Sequence, residues 1–353
     1  MYKRSALTSW VGDLGVLTHG NYMFSDCENL QSFNSKLSFL QEGEDMFSNC
    51  VILEEFNIDN LNNLVKGNRM FNGCSKLSSF THELPLLTQG SEMFKDCKSL
   101  TTFISDLPLL TNGDEMFSNC FGLSSFSADE SGTVVDLSSL QTGNYMFQAC
   151  YGLTSFSCDL SSLENGDYMF YKCIALTSFS GDLSSVDECS YMFANCPSLT
   201  TFNANLSSIT TQSDIFANSK NIESFTGDLS ALTDGSSMFQ RCYNLTAFNS
   251  NLSSLIDGNN MFQRCYNLTA FNCDDLSALT NGLNMFLDCY NLTAFNCDDL
   301  NSLTTGSWMF YNCYGLTAFD SNLSALTNGY CMFFDCYNLT AFTSDLSSLT
   351  TGY

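Results

Sequence analysis

The segment Cys242-Tyr-Asn-Leu-Thr-Ala-Phe-Asn249 recurs unchanged 23 residues later, at Cys265 to Asn272. Between the copies run Leu252-Ser-Ser-Leu255, Gly258 and Met261-Phe262, and the same order can be followed outward along the 353-residue chain. Counted from its leading leucine, the repeat begins at Leu7, Leu30, Leu53, Leu77, Leu100, Leu123, Leu153, Leu176, Leu199, Ile222, Leu245, Leu268, Leu292, Leu316 and Leu339. It reads L-T-x-F-x-x-D-L-S-x-L-T-x-G-x-x-M-F-x-x-C-x-x, with places numbered 1 to 23. Three repeats carry one extra residue, and the sixth carries seven, near 129–135. Self-similarity at a fixed period predicts a repeat solenoid, in which each repeat touches only its neighbours. Residues 1–353 therefore read as a single solenoid: fourteen complete repeats over 7–338 and partial repeats at 1–6 and 339–353.

The repeat accounts for the unusual composition. Apart from Met1, every methionine falls at place 17, from Met23 to Met332, with Ile215 as the one substitute. Phenylalanine follows at place 18, from Phe24 to Phe333, and place 4 is Trp10 once and then phenylalanine from Phe33 to Phe342. The apolar places 1, 4, 8, 11, 17, 18 and 21 fit neither a long helical period nor sustained alternation. They fit a coil whose turns point one set of side chains inward. Short strands are expected around the Met-Phe pair and around L-T-x-F. The D-L-S-S-L segment, as at 159–163, reads as a single helical turn capped by its aspartate. Glycine at place 14, often preceded by Asn or Asp as in Asn112-Gly113 and Asp257-Gly258, suggests a tight turn at positive φ. The insertion near 129–135 is expected to be an exposed loop. The ninth repeat departs most from the pattern, with Gln212, Ile215 and Ser219 in place of Gly, Met and Cys, and should open most easily.

Net charge is −25, although only 14% of residues are charged. Such a surface repels phosphate backbones and anionic lipid, so nucleic acid and direct membrane insertion are poor readings, and cations or basic protein patches are better ones. No stretch is long and apolar enough for a spanning helix, and Met1 to Trp10 lack an apolar run of signal-peptide length. The compartment is left open, since a leader can also lie outside this sequence.

The unit C-x-x-L-T-S-F-x-x-D-L-S-S-L-T-x-G-x-x-M-F resembles the BspA-like leucine-rich repeat, also called the Treponema-type repeat, over essentially all of residues 1–353. The period, the cysteine, the leading leucine, the glycine and the closing phenylalanine match. Methionine replaces the family's alanine, phenylalanine its isoleucine, and Asp-Leu its Leu-Pro, with Pro85 and Pro108 the only prolines near that place. The resemblance implies a β-rich leucine-rich-repeat solenoid with short helical or 3-10 turns. It also implies a scaffold at the cell surface or outside the cell, used for adhesion and protein contact.

Thirteen of the 18 cysteines share place 21: Cys27, Cys50, Cys74, Cys97, Cys120, Cys150, Cys173, Cys196, Cys242, Cys265, Cys289, Cys313 and Cys336. Without any C-x-x-C pair they read as small inward thiols rather than a metal or redox site. Cys158, Cys189, Cys273, Cys297 and Cys331 lie off this ladder, the most accessible thiols on this reading. Cys273 and Cys297 share one place in adjacent repeats, so a bridge between them is open. Place 7 carries aspartates such as Asp159, Asp182 and Asp228, with Asn205, Asn251 and Asn322 in others. A calcium ladder and simple turn capping are both readings of this column, and capping suits asparagine equally. Seven N-x-S/T matches follow from the repeat itself. No catalytic, metal or cofactor constellation is predicted, because His19 and His82 lie three repeats apart and no nucleophile elbow or phosphate loop occurs.

Place 22 carries the candidate binding residues. Tyr243, Tyr266, Tyr290, Tyr314 and Tyr337 occupy it in five successive repeats, where earlier ones carry unrelated residues such as Glu28, Ser75 and Lys98. Tyrosine is enriched at interfaces, yet near-copy repeats also produce such a stripe by duplication alone. Two functions remain. One is a non-enzymatic surface or adhesion-type scaffold that binds protein or glycan partners through an exposed face. The other is a structural protein whose copies associate end to end, through Leu7, Trp10, Leu14 and Leu17 on one side and Leu339, Phe342, Leu346 and Leu349 on the other.

Overall fold

The computed structural model describes residues 6–273, 275–297 and 299–353. The chain is a β-solenoid of turns of about 23 residues, and no helix occurs among the described residues. It divides into two compact units, residues 1–176 with 180–185, and residues 177–179 with 186–353.

In each unit, consecutive turns are joined by short parallel strands at the L-T-x-F step. In the first unit Ser9–Val11, Ser32–Ser35 and Glu55–Ile58 pair in register, so that Trp10, Phe33 and Phe56 lie side by side. In the second, Ser224–Phe225, Ala247–Asn249, Ala270–Asn272 and Ala294–Asn296 align Phe225, Phe248, Phe271 and Phe295. A ladder of single bridges runs along place 13, from His19 through Glu42 and Lys66 in the first unit and from Thr211 through Asp234 and Asp257 in the second. One of these bridges joins Asn112 to Thr142 across the insertion, so the seven extra residues leave the register intact. Residues 129–134 are exposed, but Val135 turns inward and is buried. Asp129 organises the loop by accepting hydrogen bonds from the Ser131 and Thr133 amides and hydroxyls. Those donors lower its carboxyl pKa to about 2.

The Met-Phe step is not a strand, contrary to the expectation from sequence. Its amides divide their bonds between two directions. In the first turn the Gly20, Tyr22, Phe24 and Asp26 N–H groups donate to carbonyls of the next turn at 2.8–2.9 Å. The alternate Met23, Ser25 and Cys27 N–H groups donate to carbonyls three residues back in their own turn at 3.1–3.3 Å. The place 15 amide is the exception and takes a side chain, as Glu44 N–H donates to Asn21 Oδ1 and Asn259 N–H to Asp257 Oδ1 at 2.9 Å, in keeping with the need of backbone donors for a partner. The geometry puts places 16 and 20 in the left-handed region in every complete turn, as at Tyr22 (φ 60) and Asp26 (φ 58). Side chains rarely adopt this conformation unless surrounding bonds impose it. Here the cross-turn amide bonds impose it on Tyr, Arg, Glu and Trp alike.

The place 14 glycines correct a second expectation. None of them has positive φ; Gly73 at place 20 and Gly132 in the insertion are the glycines that do. Their role is space. A Cβ on Gly43 would lie 3.2 Å from Met70 Sδ, and one on Gly258 would lie 3.0 Å from Met285 Sδ. From Gly20 to Gly306 these glycines thus seat the methionine of the following turn, whereas Gly329 meets Leu326 and Leu349. Where the eighth repeat puts Cys189 in the seat, the ninth has Ile215 in place of methionine, and both are fully buried. The ninth repeat's other departures are compensated as well. Gln212 Oε1 accepts from the Cys189 amide (3.1 Å) and the Ser190 hydroxyl (2.8 Å), and its Nε2 donates to the Asp187 carbonyl (2.7 Å). Side-chain bonds thereby stand in for part of the main-chain ladder.

The D-L-S-S-L segment makes one bend rather than a helical turn, with Leu163 N–H donating to the Leu160 carbonyl at 2.9 Å. Asp159 accepts from the Ser161 amide at 2.8 Å, and Asn205 accepts from the Ser207 amide at 2.9 Å. Both residues serve the same bond, which explains why either occupies place 7.

Two phenylalanine columns fill the interior. In the first unit Phe24, Phe47, Phe71, Phe94, Phe117, Phe147 and Phe170 stack at 5.4–5.6 Å. In the second, Phe193 to Phe333 continue the same way at 5.3–5.7 Å. The place 4 rings meet these columns edge-on, as Phe33 meets Phe47 at 4.7 Å and 75°. Each such pair adds about 0.5–1.5 kcal/mol beyond area burial, and every pair links one turn to itself or the next.

Candidate binding face

The ladder cysteines line the interior beside the phenylalanine column. Cys50 Sγ donates to the Phe24 carbonyl, Cys120 to Phe94 and Cys265 to Phe239, at 3.1–3.2 Å. The same carbonyl accepts its own turn's cysteine amide, as Phe24 does from Cys27 at 3.2 Å, so both lone pairs are used. Ser219, the one non-cysteine at this place in a complete turn, reproduces the bond to Phe193 at 2.7 Å. Burial pushes the Cys50 thiol up to about 12 and the Cys74, Cys97 and Cys120 thiols well above the ordinary range. All the cysteines are free thiols.

The off-ladder cysteines are not accessible, which corrects the reading from sequence. Cys158, Cys189, Cys273, Cys297 and Cys331 are all buried, and it is the ladder residue Cys336 that is half-buried. The physical reason at Cys158, Cys273 and Cys297 is place 6, where the chain turns inward after the strand. Other turns carry Ser35, Ser105 or Ser321 there, all buried. That run of small residues was the available signal. Cys273 and Cys297 are both free thiols rather than bridged, and Cys273 Sγ donates to the Asp275 carbonyl at 3.2 Å. His19 and His82 are not brought together. His82 sits edge-on between Phe56 and Phe80, and burial lowers its pKa.

The predicted tyrosines form one continuous column. Tyr243, Tyr266, Tyr290, Tyr314 and Tyr337 stack at 4.8, 4.9, 5.2 and 5.5 Å, with interplanar angles of 9, 2, 8 and 12°. Four are half-buried and Tyr337 is 72% exposed. Because each inner ring is covered on both faces by its neighbours, the column presents ring edges and phenol hydroxyls outward. The first ring is covered by a cation that the sequence reading passed over: Lys220 Nζ lies 5.6 Å from the Tyr243 centroid. In the first unit Lys98 similarly lies 6.0 Å from Phe121, which stacks on Tyr151 at 4.9 Å. All of these residues occupy place 22, so each aromatic run begins with a lysine. Acidic neighbours hold the phenols above their ordinary pKa: Tyr337 through a hydrogen bond to Asp335, and Tyr290 through burial and the nearby Asp288 carboxylate.

A second aromatic cluster was also missed, because its members fall at different places of the repeat. Trp308 and Tyr311 lie 5.4 Å apart in the thirteenth turn, and Tyr311 stacks on Phe334 of the fourteenth at 5.1 Å and 6°. Tyr330 lies 6.0 Å from Trp308. Trp308, Tyr330 and Phe334 are 39%, 41% and 42% exposed. Of the residues assigned to end contacts, Leu7, Trp10, Leu14, Leu17, Leu339, Leu346 and Leu349 are half-buried and Phe342 is exposed.

Stacked turns of 23 residues, an inward Leu-Phe-Cys set and an outward variable face define a leucine-rich-repeat scaffold. The sequence matches the BspA type leucine rich repeat region over residues 2–124, 113–246 and 235–351, and the chain belongs to that family. A leucine-rich repeat protein from Bacteroides ovatus is 25% identical, with a TM-score of 0.66 over 92% of this chain and 81% of that one. A leucine-rich repeat protein from Eubacterium ventriosum is 17% identical, with a TM-score of 0.45 over 94% and 83%. A leucine rich cell surface protein from Faecalibacterium prausnitzii is 16% identical, with a TM-score of 0.39 over 90% and 80%. No curated protein matches the sequence.

Proposed function

We propose that this protein is a non-enzymatic, surface-displayed scaffold of the adhesion type that binds protein or glycan partners through the outward face carrying the tyrosine column. The observation that carries this reading is the column itself: five successive turns hold tyrosine at one outward place, with rings already immobilised by stacking. Side chains ordered before binding lose little entropy on contact, and tyrosine combines apolar area with a hydroxyl that can donate or accept. The core does not need these rings, since other turns carry Ser75 or Pro197 at the same place.

The test is surface plasmon resonance of the whole chain against a panel of purified polysaccharides and extracellular-matrix proteins. It compares wild type with the double variant Tyr266→Ser, Tyr290→Ser. Interface tyrosines removed in pairs should weaken a genuine contact by roughly tenfold or more. A panel bound equally well by the variant would reject the column as the contact.

A further inference from the structure

We propose that the second aromatic cluster, Trp308, Tyr311, Tyr330 and Phe334 with Asp335 beside it, docks an arginine- or lysine-bearing segment of a protein partner. This rests on the scaffold reading and names the chemistry of one partner.

Charge is the first argument. Between residues 265 and 353 there are eight aspartates and no lysine, arginine or histidine. At several places elsewhere the chain meets an aromatic ring or a carboxylate with a cation of its own. Lys220 lies over Tyr243, Lys172 lies 5.0 Å from the Tyr171 centroid, and Arg264 Nε donates to Asp288 at 3.3 Å. Asp335 occupies the same place as Arg264 and Asp288, three turns beyond the arginine. At ~4.8 Å per turn that is roughly 14 Å, longer than the ~8 Å screening length at physiological salt. The fourteenth turn therefore joins exposed rings to a carboxylate that no internal cation neutralises.

Ring identity is the second argument. Trp308 is one of two tryptophans, and Trp10 belongs to the core column. Trp308 sits at a left-handed place (φ 60) where the two preceding turns carry Asn260 and Asn284, residues better suited to that backbone. The core gains nothing from an indole there, whereas tryptophan is the strongest ring for a cation and a guanidinium stacks flat on it. A neutral glycan would use the ring faces but not the carboxylate or the absence of competing cations.

The repeat supplies fold-preserving substitutions for the test. Trp308→Asn copies Asn284, Phe334→Gln copies Gln263, and Asp335→Asn copies Asn312, each from the same place of another turn. The whole chain is titrated calorimetrically with an Arg-Gly repeat peptide, a Glu-Gly repeat peptide and a neutral cello-oligosaccharide. The arginine peptide should bind saturably and the glutamate peptide should not. Trp308→Asn, which leaves the charge unchanged, should weaken the arginine peptide about three- to thirtyfold, and Phe334→Gln and Asp335→Asn should each weaken it several-fold. Unchanged affinity in both aromatic variants would overturn the proposal, because only diffuse attraction to an acidic protein would remain. Trp308-dependent binding of the sugar without the arginine peptide would also overturn it while leaving the scaffold reading standing.

Discussion

Replacing Gly282 by alanine tests the seat-and-methionine account of the core. The added Cβ would lie 2.8 Å from Met309 Sδ, 3.2 Å from its Cε and 3.3 Å from Leu303 Cδ1. Met309 and Leu303 are fully buried, so the thioether has no free space to retreat into. Overpacking of this size costs about 1–3 kcal/mol. Alanine restricts the unfolded chain more than glycine does, which returns about 0.4–1 kcal/mol, and Gly282 has no positive φ to forbid the change. The net loss should be between about 0 and 2.6 kcal/mol by those two terms, most of that range being destabilising. Met309→Ile alone is a near volume-conserving swap and should cost less than about 1.5 kcal/mol. The double variant puts a small side chain at place 14 and isoleucine at place 17 of the following turn, as Cys189 and Ile215 do, so its loss should be smaller than the sum of the two single losses by at least about 0.5 kcal/mol. Urea midpoints compare the three variants, with amide exchange near residues 282–309 as a local measure, because repeat arrays need not unfold all at once. A double variant that loses the full sum of both singles would refute the reasoning and leave glycine at place 14 without a packing role.

The cysteines and the ninth repeat give two further predictions. In the native protein a thiol reagent should modify Cys336 first and slowly, since partial burial still holds it at about 12, and reactivity should rise with pH; fast modification of several cysteines before unfolding would place the ladder at the surface. Ser219→Ala leaves the Cys196 amide and the Phe193 carbonyl without the hydroxyl that now bonds both, a loss of about 1–3 kcal/mol, whereas Ser219→Cys restores the residue of the other turns and should retain stability; equal urea midpoints for the two variants would contradict this.

What could be read from the sequence was whatever recurs with an identical environment. Leucine at place 1, the two phenylalanines and the cysteine each face the same interior in turn after turn, so identity alone marks them as core. Failures came where the deciding contact lies between turns. Gly258 looked like a turn residue because Asp257 precedes it, yet its constraint comes from Met285, 27 positions on. The left-handed places were invisible because Tyr22, Arg69 and Trp308 do not advertise positive φ, which the cross-turn amide bonds impose. Of the candidate face, the tyrosine column was legible because it keeps one place. Lys220 above it and the Trp308 cluster beside it were not, the first because one lysine carries no periodicity, the second because its rings come from places 15, 16 and 19.

That division has a consequence for how such a face arises. In the run from place 14 to place 20 the place 15 amide bonds a side chain, as Glu44 N–H donates to Asn21 Oδ1 and Asn259 N–H to Asp257 Oδ1 at 2.9 Å, while the other amides bond backbone carbonyls, as in the first turn; among the described residues none of these amides calls on the side chains at places 16, 19 and 20. Glycine would suit places 16 and 20 best, yet across the complete turns it appears only as Gly73. Left-handed backbone costs a non-glycine residue roughly 1–3 kcal/mol where nothing supports it, and the cross-turn bonds supply that support in every turn. Residue choice there is released from the demands of folding. In the first unit the released places carry Asp45 paired with Arg69, and Glu92 and Glu115. In the second they carry Trp308, with Phe334 at place 19 of the next turn. A core that repeats strictly and left-handed places that vary in residue type are therefore products of the same hydrogen-bond pattern.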